Sequence, residues 1–150
     1  MSRAFVRETA NTAPPPERMV SDGPNLVTEA GHARIQAQVA RLEAALKSER
    51  DVLQRETLER DLRYWQIQKA RAEIVRPRDD GSVAFASRVT LRRSGREQTF
   101  RIVGEDEADP AHGLVSWRSP LAQAILGARA GDIVEAPKPL GEIEIVSVGI

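Results

Sequence analysis

Residues 28–65 read TEAGHARIQAQVARLEAALKSERDVLQRETLERDLRYW, and the spacing of apolar side chains in this stretch decides the architecture. Ile35, Val39, Leu42 and Leu46 recur at intervals of four, three and four, which places them on one face of a helix. Thr28 stands just ahead of them, where a hydroxyl can accept a hydrogen bond from a free N–H of the first turn and cap the helix. After a polar break at Lys47, Ser48, Glu49, Arg50 and Asp51, a second stripe runs through Leu58, Leu62, Trp65 and Ala72. Each stripe is too narrow to be buried alone, and a short connection makes the neighbouring helix its nearest partner. The pattern therefore predicts an antiparallel coiled-coil hairpin over residues 25–76. Val52, Leu53 and Leu58 can extend either arm by a turn, so the tip is located only to the neighbourhood of the polar break. An arm of about 20 residues is roughly 30 Å long at 1.5 Å per residue.

The flanking regions read differently. Residues 1–24 carry Pro14, Pro15, Pro16 and Pro24 among small polar residues without apolar periodicity, the composition of a mobile tail. Pro77 and the Arg78-Asp79-Asp80-Gly81 stretch end the second helix, because proline disfavours helix in the residue before it and Asp-Gly favours a turn. Beyond this boundary the period falls to two: Val83 and Phe85, Val89 and Leu91, Phe100 and Ile102, Ile143 and Ile145 read as strands. Ser94-Gly95 is a hairpin turn between the second and third of them, and Pro120 to Leu126 reads as a short helix capped by Ser119. The fold class expected is α+β, a helical hairpin followed by a small sheet domain with one short helix over residues 77–150.

Composition removes several functional classes. With 22 basic and 22 acidic side chains the chain lacks the broad positive field with which duplex binders release counterions, so free DNA is a poor partner. The absence of cysteine excludes disulfides, thiolate metal sites and a cysteine nucleophile, and fits a reducing cytoplasm. No apolar run approaches the roughly 18 residues needed to span a bilayer, and the N-terminus has no secretory-signal pattern. His32 and His112 are far apart in sequence and do not suggest zinc. No glycine-rich phosphate loop or nucleophile elbow is present.

A longer pattern lies in the C-terminal half: Ile102-Val103-Gly104-Glu105-Asp106-Glu107-Ala108-Asp109, then Gly113, Ser116, Ser119-Pro120-Leu121, Leu126-Gly127 and Gly131-Asp132. This ordered string resembles the C-terminal domain of the GreA/GreB transcription elongation factors. Leu26-Val27-Thr28-Glu29-Ala30-Gly31 resembles the start of that family's first coiled-coil helix, and Ser2 to Glu8 is similar to the leader of some GreB-like proteins. The resemblance implies an FKBP-like C-terminal domain that docks at the rim of the RNA polymerase secondary channel and a hairpin that points inward. The residues carried over as polymerase-binding are Glu105, Asp106, Glu107 and Asp109 in the acidic loop, with Ser119, Pro120 and Leu121. An acidic loop pairs with basic groups on a partner, and Pro120 with Leu121 offers a rigid apolar contact. The acidic loop is not a calcium loop, because Pro110, Ala111 and His112 break the required ligand alternation.

The family's second functional element is an acidic pair at the hairpin tip, in a D-L-x-E-N-A-x-Y motif. The pair implies help with a second Mg²⁺ at the polymerase active centre during hydrolysis of a backtracked transcript. This sequence departs from the motif. Glu49 and Asp51 are the candidates in its place, although Arg50 and Lys47 offset their attraction for a cation, and a solvated charged turn is the plainer reading. The short hairpin is also similar to the regulator of nucleoside diphosphate kinase, a member of the superfamily that engages polymerase without the cleavage tip. About ten residues fewer per arm would withdraw a tip by roughly 15 Å.

The function expected from the resemblance is that of a cytoplasmic, monomeric factor that binds RNA polymerase at the secondary channel and regulates elongation, at most by stimulating the polymerase's own cleavage of backtracked transcripts; it is not itself an enzyme and meets nucleic acid only inside that complex. It has no cofactor of its own, and Mg²⁺ is shared with the polymerase only if cleavage is stimulated. The alternatives are a polymerase-binding regulator without cleavage activity that competes with other channel factors, a peptidyl-prolyl isomerase, and a scaffold pairing its stripe between chains. The isomerase needs an aromatic-lined pocket, for which the C-terminal region offers Phe85, Phe100 and Trp117. Trp65 is expected in the seam between the arms or at the joint with the second domain, and Tyr64 in solvent. Arg88, Arg92, Arg93 and Arg96 form either a basic patch for nucleic acid or a solvated strand face.

Overall fold

The computed structural model describes residues 13–150, and the leader-like stretch from Ser2 to Glu8 lies outside them. The chain divides into two compact units, one of residues 13–23 and 33–71 and the other of residues 24–32 and 72–150. The boundary thus differs from a cut after residue 76. The strand β1 (Asn25–Val27) pairs in parallel with β2 (Ala72–Ile74), and both belong to the second unit. Ala72, placed on the helical stripe by its spacing, instead begins β2. A three-residue strand carries too little periodicity to announce itself.

The first unit is built on the helical hairpin. Helix α1 (Glu29–Ser48) and helix α2 (Val52–Arg71) are each 20 residues long and are joined by residues 49–51. Thr28 caps α1 as expected, its Oγ1 accepting the N–H of Gly31 at 3.0 Å. Ile35, Val39 and Leu42 are buried and Leu46 is half-buried, while Leu58, Leu62 and Trp65 are half-buried. The fully buried residue of α2 is Gln68, a polar side chain that an apolar-spacing argument passes over.

Residues 13–23 make specific contacts with α2 where a mobile tail was expected. Glu17 forms an ion pair with Arg63, and the Arg18 guanidinium lies 3.8 Å from the centre of the Tyr64 ring. Tyr64 is therefore half-buried and meets Trp65 edge to face at 5.1 Å. The segment compensates for its lack of apolar area with charge and cation–π contacts.

The second unit contains a five-stranded sheet ordered β5-β4-β3-β7-β6. Its strands are β3 (Arg88–Arg93), β4 (Arg96–Val103), β5 (Leu114–Ser116), β6 (Ile133–Ala136) and β7 (Gly141–Gly149). The β4–β5 pair is parallel, the others are antiparallel, and a bulge between Thr90 and Leu91 shifts the β3–β7 register. Ser94 and Gly95 connect β3 and β4 at φ 52° and 73°, as a two-residue hairpin with positive φ at both central positions requires. One face carries Val89, Leu91, Phe100, Ile102, Ile143 and Ile145 into a core closed by Ala122 and Ile125 of helix α3 (Pro120–Ile125).

Val83 and Phe85 join that core without forming the expected strand. The chain turns through 84–87, with the Ala84 N–H donating to Ser87 Oγ at 2.9 Å and Ala86 at φ 72°. The left-handed conformation costs a non-glycine residue about 1 kcal/mol or more. Here it is held by Ala86 N–H to Ile102 O at 2.9 Å and by Arg101 Nη1–H to Ala86 O at 2.7 Å.

Candidate functional site

The acidic loop and the Ser119 segment lie in the second unit, and the structure gives their carboxylates different roles. Gly104 opens a 3-10 turn over Glu105–Glu107. Glu107 turns inward and is 8% exposed. Its Oε2 accepts the N–H of Gly104 at 3.0 Å and the N–H of Thr28 at 3.2 Å, and its Oε1 accepts the Thr28 hydroxyl. Glu107, named with the docking residues on the sequence, is engaged within the chain as a clamp between Thr28 and the 104–107 turn. Gly31 and Gly104 accommodate it. A Cβ on Gly31 would meet the Glu107 Cγ at 2.8 Å, and one on Gly104 would meet the Leu26 carbonyl oxygen at 2.6 Å.

The remaining acidic residues stay nearer the surface. Glu105 is half-buried and sits 3.6 Å from Arg118, whose guanidinium also stacks 4.6 Å from the Trp117 ring and donates to Pro24 O at 2.8 Å. Asp106 is half-buried. Asp109 is exposed and bonds His112 Nδ1 at 2.7 Å.

Ser119 caps α3, accepting the Ala122 N–H on Oγ at 3.2 Å, so its hydroxyl holds the helix in place. Pro120 occupies the first helical turn, where its missing N–H has no cost, and is exposed. Leu121 packs partly against the core and contributes only a partial outward surface.

Beside Pro120 lies a shallow groove of about 450 Å³ lined by Gln123, Ala124, Pro137, Lys138, Pro139 and Leu140 in addition to Pro120 itself. The groove is predominantly apolar, and its prolines hold their shape at little entropic cost on binding. Sequence reasoning named Pro120 but missed the opposite wall. The Pro137-Lys138-Pro139 run was the available signal, but nothing local to it announces that the β6–β7 turn folds back beside α3. No aromatic side chain lines this groove, and Phe85 and Phe100 belong to the core.

At the hairpin tip, Glu49 Oε1 accepts the Asp51 N–H at 3.1 Å. Arg55 Nη1 donates to Leu46 O at 2.7 Å and Glu49 O at 2.9 Å, placing a cation on the last carbonyls of α1. Among the described residues no group of three metal-ligating side chains occurs, and no helix is long and apolar enough to cross a membrane. The arginines of the proposed basic patch divide: Arg92 is held by Glu97 at 3.1 Å and Glu144 at 3.0 Å, as in a solvated strand face.

Residues 78–149 match the family model for the transcription elongation factor GreA/GreB C-terminal domain. The chain is 45% identical over 84 residues to the transcription elongation factor GreA of Paracoccus denitrificans, covering 53% of this chain and 54% of that protein. It is 52% identical over 60 residues to GreB of Neisseria meningitidis, covering 39% of this chain and 37% of that one. The chain thus matches about half the length of the first of these curated relatives and less of the second. Among solved structures, a GreA/GreB elongation factor from Nitrosomonas europaea aligns over 86% of this chain and 100% of its own, with 27% identity and a TM-score of 0.41. GreA factor homolog 1 of Thermus thermophilus aligns over 85% and 100%, with 22% identity and a TM-score of 0.41.

Proposed function

We propose that this chain, which belongs to the GreA/GreB family of transcription elongation factors, binds RNA polymerase at its secondary channel and regulates elongation from there. The observation that carries this reading is the exposed, rigid Pro120 beside an apolar groove, inside the segment that matches the family's C-terminal domain. Glu105, Asp106 and Asp109 supply negative charge from the same unit, which steers an encounter with a basic surface. The factor acts in the cytoplasm and has no catalytic cycle of its own.

The tip favours regulation without transcript cleavage. A second Mg²⁺ needs carboxylate oxygens in near-octahedral geometry, and catalytic metal sites tolerate misplacement of only about 0.5 Å. Glu49 spends one oxygen on the Asp51 N–H, and the Arg55 guanidinium stands on the adjoining carbonyls. Both features oppose a cation at this turn. Backtracked elongation complexes test the reading: the protein should displace a cleavage factor competitively while leaving transcript length unchanged when added alone. Shortened transcripts, abolished by Glu49→Ala with Asp51→Ala, would transfer the tip to a cleavage role.

A further inference from the structure

Arg88 on β3 and Arg101 on β4 are direct cross-strand partners in the antiparallel ladder, so their side chains leave the same face of the sheet. Like charges placed directly opposite each other destabilise a sheet. Among the described residues neither arginine takes part in an ion pair that relieves this repulsion, and the one hydrogen bond that either guanidinium makes is Arg101 Nη1–H to Ala86 O at 2.7 Å. The contrast with Arg92, four residues along the same strand face, is direct, because Arg92 is bracketed by two glutamates.

The two arginines line one concavity of about 250 Å³ together with Thr99, Phe100, His112, Gly113 and Leu114. His112 brings a third nitrogen group. Its Nδ1–H donates to the Asp109 carboxylate, which leaves Nε2 as its open ring nitrogen, and Nε2 donates to an anion when the ring is an imidazolium. The Thr99 hydroxyl shares a 2.8 Å hydrogen bond with Thr90 and retains further capacity.

We propose that Arg88, Arg101 and His112 form an oxyanion site that takes a phosphoryl group. Two planar guanidinium forks and an imidazolium surround a tetrahedral anion better than a planar carboxylate, whose two oxygens one fork already satisfies. The volume is below the roughly 300–1,000 Å³ of sites that enclose a whole small molecule, so the site holds one phosphate and leaves the rest of its bearer outside. That phosphate belongs either to a free phosphate or mononucleotide, or to the backbone of a nucleic-acid strand. The site is independent of the Pro120 groove and does not require polymerase.

The test is an NMR titration of the full chain, following arginine Nε–H and histidine ring resonances. Inorganic phosphate, a nucleoside 5′-monophosphate, a short single-stranded oligoribonucleotide and acetate are added in turn at constant ionic strength set with chloride. The expected result is saturable shifts at Arg88, Arg101 and His112 with the three phosphate-bearing probes. Arg88→Gln should weaken each at least tenfold, and Arg92→Gln should leave them unchanged. Binding of the oligoribonucleotide at least tenfold tighter than the mononucleotide assigns the strand as bearer, and similar affinities assign the free ligand. Because Arg101 also holds the Ala86 turn, Arg88→Gln is the deciding variant. Shifts that follow chloride equally, acetate binding as tight as phosphate, or an Arg88→Gln protein that binds phosphate like the wild type would each overturn the proposal.

Discussion

Thr28 and Glu107, 79 positions apart, are joined twice: the Thr28 backbone N–H reaches Glu107 Oε2 at 3.2 Å, and the Thr28 hydroxyl donates to Oε1. The same hydroxyl oxygen accepts the Gly31 N–H at 3.0 Å, so one threonine caps α1 and anchors the acidic loop. Removing one partner from a buried, charged hydrogen-bonded set leaves the other unsatisfied, which costs about 3 kcal/mol. Glu107→Ala should therefore lower unfolding free energy by that order, and Thr28→Val by about 1–3 kcal/mol. Chemical denaturation of the two variants and the double variant checks this, with a double-variant loss smaller than the sum of the single losses.

Along the hairpin, the burial of Leu42 at 1% exposure sets a second expectation. Leu42→Ala removes buried methyl groups and leaves a cavity, at a cost of about 2–5 kcal/mol. Arg55→Ala should act locally instead. Loss of its bonds to the Leu46 and Glu49 carbonyls should speed amide hydrogen exchange around residues 47–52 with little change in the global transition.

The contact between the 13–23 segment and α2 is sensitive to acid. The hydrogen bond from Arg63, with its charge, holds the Glu17 carboxyl below the usual carboxylate range. A lowered folded-state value stabilises the contact above the free glutamate value of about 4.3, and the contribution is lost as pH falls through the depressed value. At neutral pH the segment should be docked, and a proteolysis or NMR titration should show it released at a pH below that of a free glutamate. Glu17→Gln should abolish the step.

At α3, Ser119→Ala should cost about 1 kcal/mol through loss of the cap, whereas Pro120→Asp should fold with near wild-type stability because Pro120 is exposed and lends no N–H. Thermal melts of the two variants separate the structural serine from the outward-facing proline.

Much of this architecture is legible in the sequence because long periodic elements carry their own signal. The α1 stripe, the Ser94-Gly95 turn and the Ser119 cap each have a local cause, and each occurs where its residues indicate. The short pairings β1–β2 and β4–β5 do not, since three residues cannot establish a period and their partners are far away in sequence. The inward turn of Glu107 was hidden for a related reason. In the sequence it is one of four acids in five positions, and only the meeting of Thr28, Gly31 and Gly104 around it distinguishes it from Glu105 and Asp106. The Pro137–Leu140 wall of the groove likewise depends on a turn returning to α3.

The most direct measurement for the central claim is equilibrium binding of the full chain to purified core RNA polymerase, compared with Pro120→Asp. The account predicts saturable binding by the wild type and at least tenfold weaker binding by the variant, with the fold of both unchanged by circular dichroism. A wild-type protein that does not bind, or a variant that binds equally well, would contradict it.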